Sequence, residues 1–174
     1  MPLPSCSRKV AAPRSWVGGA VVEFDTRSAI VSGDLDLVSA EQEALSRALR
    51  QVGFQPEDRP GRRLGGWYHQ DVPIAVDCVS SRYYDGLADR QRIRVVAFDG
   101  GEVLVAATEE LIADRLGQWE ASDRRDAELM QQVVGLFALA ETIDLHYLKR
   151  RVFEEAGLVL DEAAIAKLRT GEAP

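Results

Sequence analysis

The chain has 174 residues, 46% of them hydrophobic and 28% charged, a balance that fits one soluble domain rather than a disordered or fibrous chain. Two cysteines and two histidines exclude a disulfide scaffold and a four-cysteine or His-rich metal site. A net charge of −7 argues against a protein that coats double-stranded DNA, and no apolar run is long enough to span a membrane. The first residues include Arg8 and Lys9 but no apolar stretch behind them, so a cytoplasmic protein with reduced thiols is expected.

Residues 1–14, with Pro2, Pro4 and Pro13, read as a flexible arm. Ser15-Trp16-Val17 forms a short apolar strand, Gly18-Gly19 a turn, and residues 20–24 one or two helical turns. Alternation of acid and leucine predicts a strand over 33–38. Ser39 with Gln42 makes a capping box for a helix carrying Ala44, Leu45, Ala48, Leu49 and Val52, stopped by Gly53. A polar loop over 55–63 follows. Residues 64–69 and 73–79 read as strands joined near Gln70-Asp71, and residues 93–98 and 102–106 as a hairpin around Asp99-Gly100-Gly101. The pattern then turns helical. Thr108 caps a helix to about Trp119, Ser122 or Asp123 opens a longer one to about Ala140, Asp144 caps a third that Gly157 ends, and Asp161 starts the last. The expected class is α/β (α+β), with a mixed-sheet core over 15–107 and a C-terminal helical portion over 108–174 packed on it.

Ser32-Gly33-Asp34-Leu35-Asp36-Leu37 is the most informative segment. On a strand Asp34 and Asp36 share one face while Leu35 and Leu37 point to the other. Two carboxylates about 4 Å apart repel by roughly 4 kcal/mol at an effective dielectric of about 20. Hard oxygen ligands so placed suit Mg²⁺ or Mn²⁺. Asp77 interrupts the apolar run Ile74-Ala75-Val76 and is a third carboxylate of the same kind. Three acids from two neighbouring strands would make a divalent-metal site for phosphoryl transfer from a nucleoside triphosphate. Gly18 and Gly19, before a short helix, let the backbone approach phosphates.

Trp16-Val17-Gly18-Gly19-Ala20, then Ser32-Gly33-Asp34-Leu35-Asp36-Leu37, then Asp77 together resemble the polymerase-β-like nucleotidyltransferase superfamily. The run Ala107-Thr108-Glu109-Glu110-Leu111-Ile112-Ala113-Asp114-Arg115-Leu116, followed by Arg124-Arg125-Asp126, looks like AbiEii-type and related nucleotidyltransferase-like proteins. The resemblance covers about residues 15–155. It implies metal-dependent transfer of a nucleotidyl group from a nucleoside triphosphate to RNA, a protein or a small molecule. It also implies membership of a toxin–antitoxin or phage-defence pair, hence a cognate protein partner. Carried over by position, Gly18 and Gly19 would hold the triphosphate, Asp34 and Asp36 would bind metal, and Asp77 would be the third carboxylate. The alternative is a catalytically silent module of this fold that binds a partner protein; the presence of all three acids favours activity.

Other residues read two ways. Ser32 either contacts a phosphate or shapes a turn, and Arg62 and Arg63 either clamp phosphates or form a solvated loop. Trp67 and Tyr68 suit strand packing more than base stacking, and Cys78 should face the core by alternation from Asp77. Arg115 and Asp126 are placed to pair between two helices, in either a structural or a substrate role. Lys149, Arg150 and Arg151 read as a solvated basic helix face.

Overall fold

Short alternating runs in the first half of the chain assemble into one mixed sheet, and the apolar stripes of the second half pack on one of its faces. In the computed structural model, which describes residues 15–57, 66–99 and 101–174, the elements are β1 (Ser15–Val17), α1 (Gly18–Asp25), β2 (Asp34–Val38) and α2 (Gln42–Gln51). There follow β3 (Gln55–Pro56), β4 (Gly66–Tyr68), β5 (Ala75–Ser80), β6 (Arg94–Phe98) and β7 (Gly101–Val105). Last come α3 (Thr108–Ala121), α4 (Ala127–Leu139), α5 (Leu145–Ala156) and α6 (Glu162–Thr170), with two 3₁₀ turns, Tyr83–Gly86 and Arg90–Arg92, before β6. The expected arm over 1–14 and the loop arginines Arg62 and Arg63 lie outside the described residues.

The sheet has seven strands in the order β3-β4-β5-β2-β1-β7-β6. β2 runs parallel to β5 and antiparallel to β1, and β1 runs parallel to β7. The hairpin read over 64–79 is the antiparallel pair β4–β5, and that over 93–106 is β6–β7. Alternation sorts the core into two layers. Leu37, Val76, Cys78 and Trp67 are buried under Leu45 and Leu49 of α2. Val17, Val38 and Val105 project from the other face into a larger core with Leu111, Ile112 and Leu116 of α3, Val133 and Leu136 of α4, and Leu148 and Val152 of α5. The mixed sheet with a helical second half matches the class read from the pattern.

Asp144 and Asp161 cap α5 and α6 as expected, accepting from the N–H of Tyr147 at 3.0 Å and of Ala164 at 2.8 Å, and Gly157 ends α5 with φ +67°. Three other helix starts differ from the sequence reading, the first two because tertiary partners outbid local caps and the third because the Ser122 hydroxyl donates to the Trp119 carbonyl three residues back. Gln42 Nε2 donates to the Ser39 carbonyl at 2.7 Å and to Cys78 Sγ at 2.9 Å, so the pair moors α2 to β5 and the helix begins at Gln42, not Ser39. Thr108 is already helical; its hydroxyl donates to Asp25 Oδ2 at 3.1 Å, where Arg94 also binds through two bonds. Ser122 closes α3 rather than opening α4, and Asp126 caps α4 by accepting from the N–H of Glu128 and Leu129. The strand β3, in the predicted polar loop, carried no local signal.

The expectation of a solvated basic face over 149–151 fails at Arg151, while Arg150 is exposed and Lys149 partly so. Arg151 is fully buried, its Nε donating to the equally buried Glu110 at 2.8 Å and its other nitrogens donating to Glu154 and Glu155. The Tyr147 hydroxyl donates to the second Glu110 oxygen. This polar knot lies between α3 and α5.

Candidate functional site

Parallel pairing sets Asp36 directly beside Asp77, two strands deep in the sheet, and Asp34 lies two residues along β2 on the same face. That face is the one covered by α3 and α4. The acids sit where the helical layer ends, Asp34 exposed and Asp36 and Asp77 half-buried. Their carboxylates turn outward to the neighbouring strands. A Cβ built on Gly18 would stand 1.9 Å from Asp36 Oδ2, and one on Gly66 would stand 2.7 Å from Asp77 Oδ1 and 2.7 Å from Glu57 Oε2. Asp36 thus leans toward β1 and Asp77 toward β4. Among the described residues, no group of three or more His, Cys, Asp or Glu side chains is arranged to hold a metal ion. Asp34 and Asp36 offer a two-carboxylate set, which is what Mg²⁺ commonly takes from a protein when substrate phosphates fill the remaining positions.

Gly18 lets the strand turn directly into α1. Its φ of +65° is left-handed, and its missing side chain leaves the room that the Asp36 carboxylate occupies. No side chain of the chain's own first turn caps α1. The Gly19 N–H is directed instead at the Asp36 carboxylate, which acts as a cap supplied from the neighbouring strand. Burial pushes the Asp36 carboxyl above its ordinary range; the Gly19 N–H and Arg115 pull it down, and the charges of Asp77 and Asp34 push it up. Ser32 closes the other side. Its hydroxyl donates to the Asp34 carbonyl at 3.1 Å and lies 2.4 Å from where a Gly19 Cβ would stand, and its N–H donates to Glu23 at 2.8 Å.

These residues form one wall of a cleft of about 300 Å³ lined by Gly19, Ser32, Asp34 and Asp36 opposite Arg115, Asp126, Glu128 and Gln132. Arg115 is 7% exposed. It pairs with the adjacent Asp114 at 3.0 Å, not with Asp126, whose oxygen is used by the α4 backbone. Gln118 donates to the same Asp114 oxygen at 2.9 Å, fixing it. Both Arg115 and Gln132 line the cleft, and Arg115 Nε and Gln132 Oε1 are buried without a hydrogen-bond partner. Sequence reasoning gave Arg115 a structural or a substrate role as a partner of Asp126 and did not single out Gln132.

Gly18→Ala tests this wall. The new methyl would displace Asp36 and put alanine at a left-handed φ, which costs roughly 1–2 kcal/mol. The melting temperature should fall by roughly 2–8 °C for a chain of this size. A thermal scan showing no fall would mean that the turn and Asp36 yield freely.

Trp67 is buried and Cys78 faces the α2 side, as alternation required. His69 packs edge-on against Phe54, away from the cleft.

No family model matches the chain, and no curated protein is similar to it in sequence. A solved structure is similar in fold: an antigenic nucleotidyltransferase-like protein from Paracoccidioides brasiliensis, with a TM-score of 0.57 and 11% sequence identity over 92% of this chain and 85% of that one. The likeness is one of fold. The mixed sheet and its helical layer therefore have a nucleotidyltransferase-like architecture. No helix among the described residues is long and apolar enough to cross a membrane.

Proposed function

We propose that the chain is a metal-dependent nucleotidyltransferase that moves a nucleotidyl group from a nucleoside triphosphate to an acceptor hydroxyl. The observation that carries this reading is that Asp34 and Asp36 line one cleft with a buried arginine whose Nε has no partner. Acids alone would repel a triphosphate and a lone arginine would not hold a cation; together they suit a cation–triphosphate complex. Asp34 and Asp36 would hold Mg²⁺ or Mn²⁺, with Asp77 the adjacent carboxylate. The ion, when bound, would neutralise phosphate charge and polarise the phosphorus under attack. Arg115 offers its free donor to a phosphate oxygen and offsets the charge that gathers on the departing pyrophosphate. Gly19 and Ser32 shape the rim where backbone and phosphate meet. The helical pattern over 107–126 links the reading to AbiEii-type proteins, and with them to RNA or protein acceptors and a cognate partner protein.

Arg115→Ala should weaken binding of a nucleoside triphosphate in Mn²⁺ by about 10- to 100-fold, the worth of a charge-assisted hydrogen bond. Incubation with each labelled triphosphate, Mg²⁺ and cell RNA or extract should transfer label, and Asp34→Asn should abolish the transfer. Absence of transfer together with unaltered binding by Arg115→Ala would refute the reading. The outward lean of Asp36 and Asp77 favours one alternative, a silent module of the same fold that binds a protein partner. Triphosphate binding without transfer to any acceptor is the result that points to it.

A further inference from the structure

A second groove, of about 560 Å³, runs along the neighbouring face of α4 and is lined by Ile30, Trp119, Arg124, Ala127, Met130 and Val134. It shares α4 and the 30–32 segment with the acidic cleft: Ile30 borders the groove and Ser32 the cleft. The cleft is polar, whereas the groove is walled mainly by apolar side chains, with Gln131 and one cation.

That cation is held over an aromatic ring. Arg124 lies 5.3 Å over the Trp119 ring and donates from Nε to Glu120 Oε2 at 2.8 Å and from Nη2 to Glu120 Oε1 at 3.3 Å. Its side chain remains 53% exposed. The backbone that carries it is held in an unfavourable form. Asp123 has φ +55° and Arg124 φ +61°, and the Arg124 N–H donates back to the Trp119 carbonyl at 2.9 Å. Two successive non-glycine residues in the left-handed region cost free energy that a solvated connector would avoid. This turn carries the Arg124 guanidinium over the indole, and both line the groove.

We infer that this groove receives the base of the nucleotide whose phosphates occupy the acidic cleft, with Arg124 stacking on the ring and Met130, Ile30 and Val134 flanking it. The inference rests on the proposed function and adds a specificity element to it. A guanidinium already held over tryptophan and about half exposed offers its open side to a base, and the apolar flank suits the ring while excluding a further phosphate. Stacking of this kind tolerates any base, so discrimination between a nucleotide and a bare polyphosphate is expected to exceed discrimination among nucleotides.

Calorimetric titration with inorganic tripolyphosphate and with each of the four nucleoside triphosphates, all in Mn²⁺, separates the two claims. The full chain should bind the nucleotides about tenfold or more tighter than tripolyphosphate. Arg124→Ala and Met130→Glu should each collapse that ratio toward one, and Arg124→Lys, which keeps charge but not planarity, should fail to restore it. Equal affinity for tripolyphosphate and nucleotides in the unaltered chain overturns the inference and leaves the proposed function standing. A preference that survives both Arg124→Ala and Met130→Glu places the base elsewhere and likewise overturns it. Failure of every ligand to bind the unaltered chain removes the proposed function and the inference with it.

Discussion

Asp36→Asn is expected to raise the melting temperature in EDTA by roughly 2–4 °C, about 1 kcal/mol for a chain of this size, while abolishing Mn²⁺-supported triphosphate binding. The two effects have one cause. Asp36 is half-buried beside Asp77 and near Asp34, and burial and these charges raise its pKa in the fold. A carboxyl raised in the fold stabilises it below the unfolded pKa of about 3.9 and loses that contribution as pH rises through the folded value. Near neutral pH the penalty is complete, and the metal-free protein is least stable there with respect to this group. Asparagine removes the charge but keeps an oxygen for the Gly19 N–H, so α1 retains its borrowed cap. The melting temperature of Asp36→Asn should accordingly vary less between pH 4 and 7 than that of the unaltered chain. A fall in melting temperature for Asp36→Asn would show that the carboxylate serves the fold through Arg115 and Gly19 alone.

Arg151→Met carries the larger stability effect. It leaves Glu110 fully buried with only Tyr147 to satisfy it. Breaking one side of a buried ion pair costs roughly 3–5 kcal/mol, far above the loss of an exposed pair. Chemical denaturation should report that loss, and thermal melting a fall of roughly 6–20 °C. The double change Arg151→Met with Glu110→Gln should recover much of it, because no uncompensated charge then remains inside. A single Arg151→Met change within about 0.5 kcal/mol of the unaltered chain would mean that Glu110 finds another cation or water.

What sequence reading reached is explained by where each signal lies along the chain. Asp144, Gly157 and Asp161 bound α5 and α6 correctly because their partners lie within four residues. The shared face of Asp34 and Asp36 follows from strand periodicity, and the hairpins from their turn residues. Several errors arose where a distant partner takes a local group. Gln42 is drawn to Cys78, Thr108 to Asp25, and Arg151 to Glu110, separations of 36, 83 and 41 residues. Lys149-Arg150-Arg151 looks uniformly solvated in sequence, since nothing nearby reveals that only the third faces α3. Arg115, expected to pair with Asp126, pairs with Asp114 instead. Its place opposite the acids depends on α3 packing across β1 and β2, which no spacing within α3 records.

The knot of Glu110, Tyr147 and Arg151 also fixes how the cleft can respond to a ligand. It ties one flank of α3 to α5, and Arg115 projects from the same helix five residues further on. Amide protons in α3 should therefore exchange with solvent only through opening of most of the domain, whereas those over 27–33, outside any helix or strand, should exchange through small local excursions. The arginine side of the cleft is thus preset, and adjustment falls to the segment between α1 and β2. A ligand spanning both should slow exchange over 27–33 and leave α3 unchanged, a protection pattern confined to one bank.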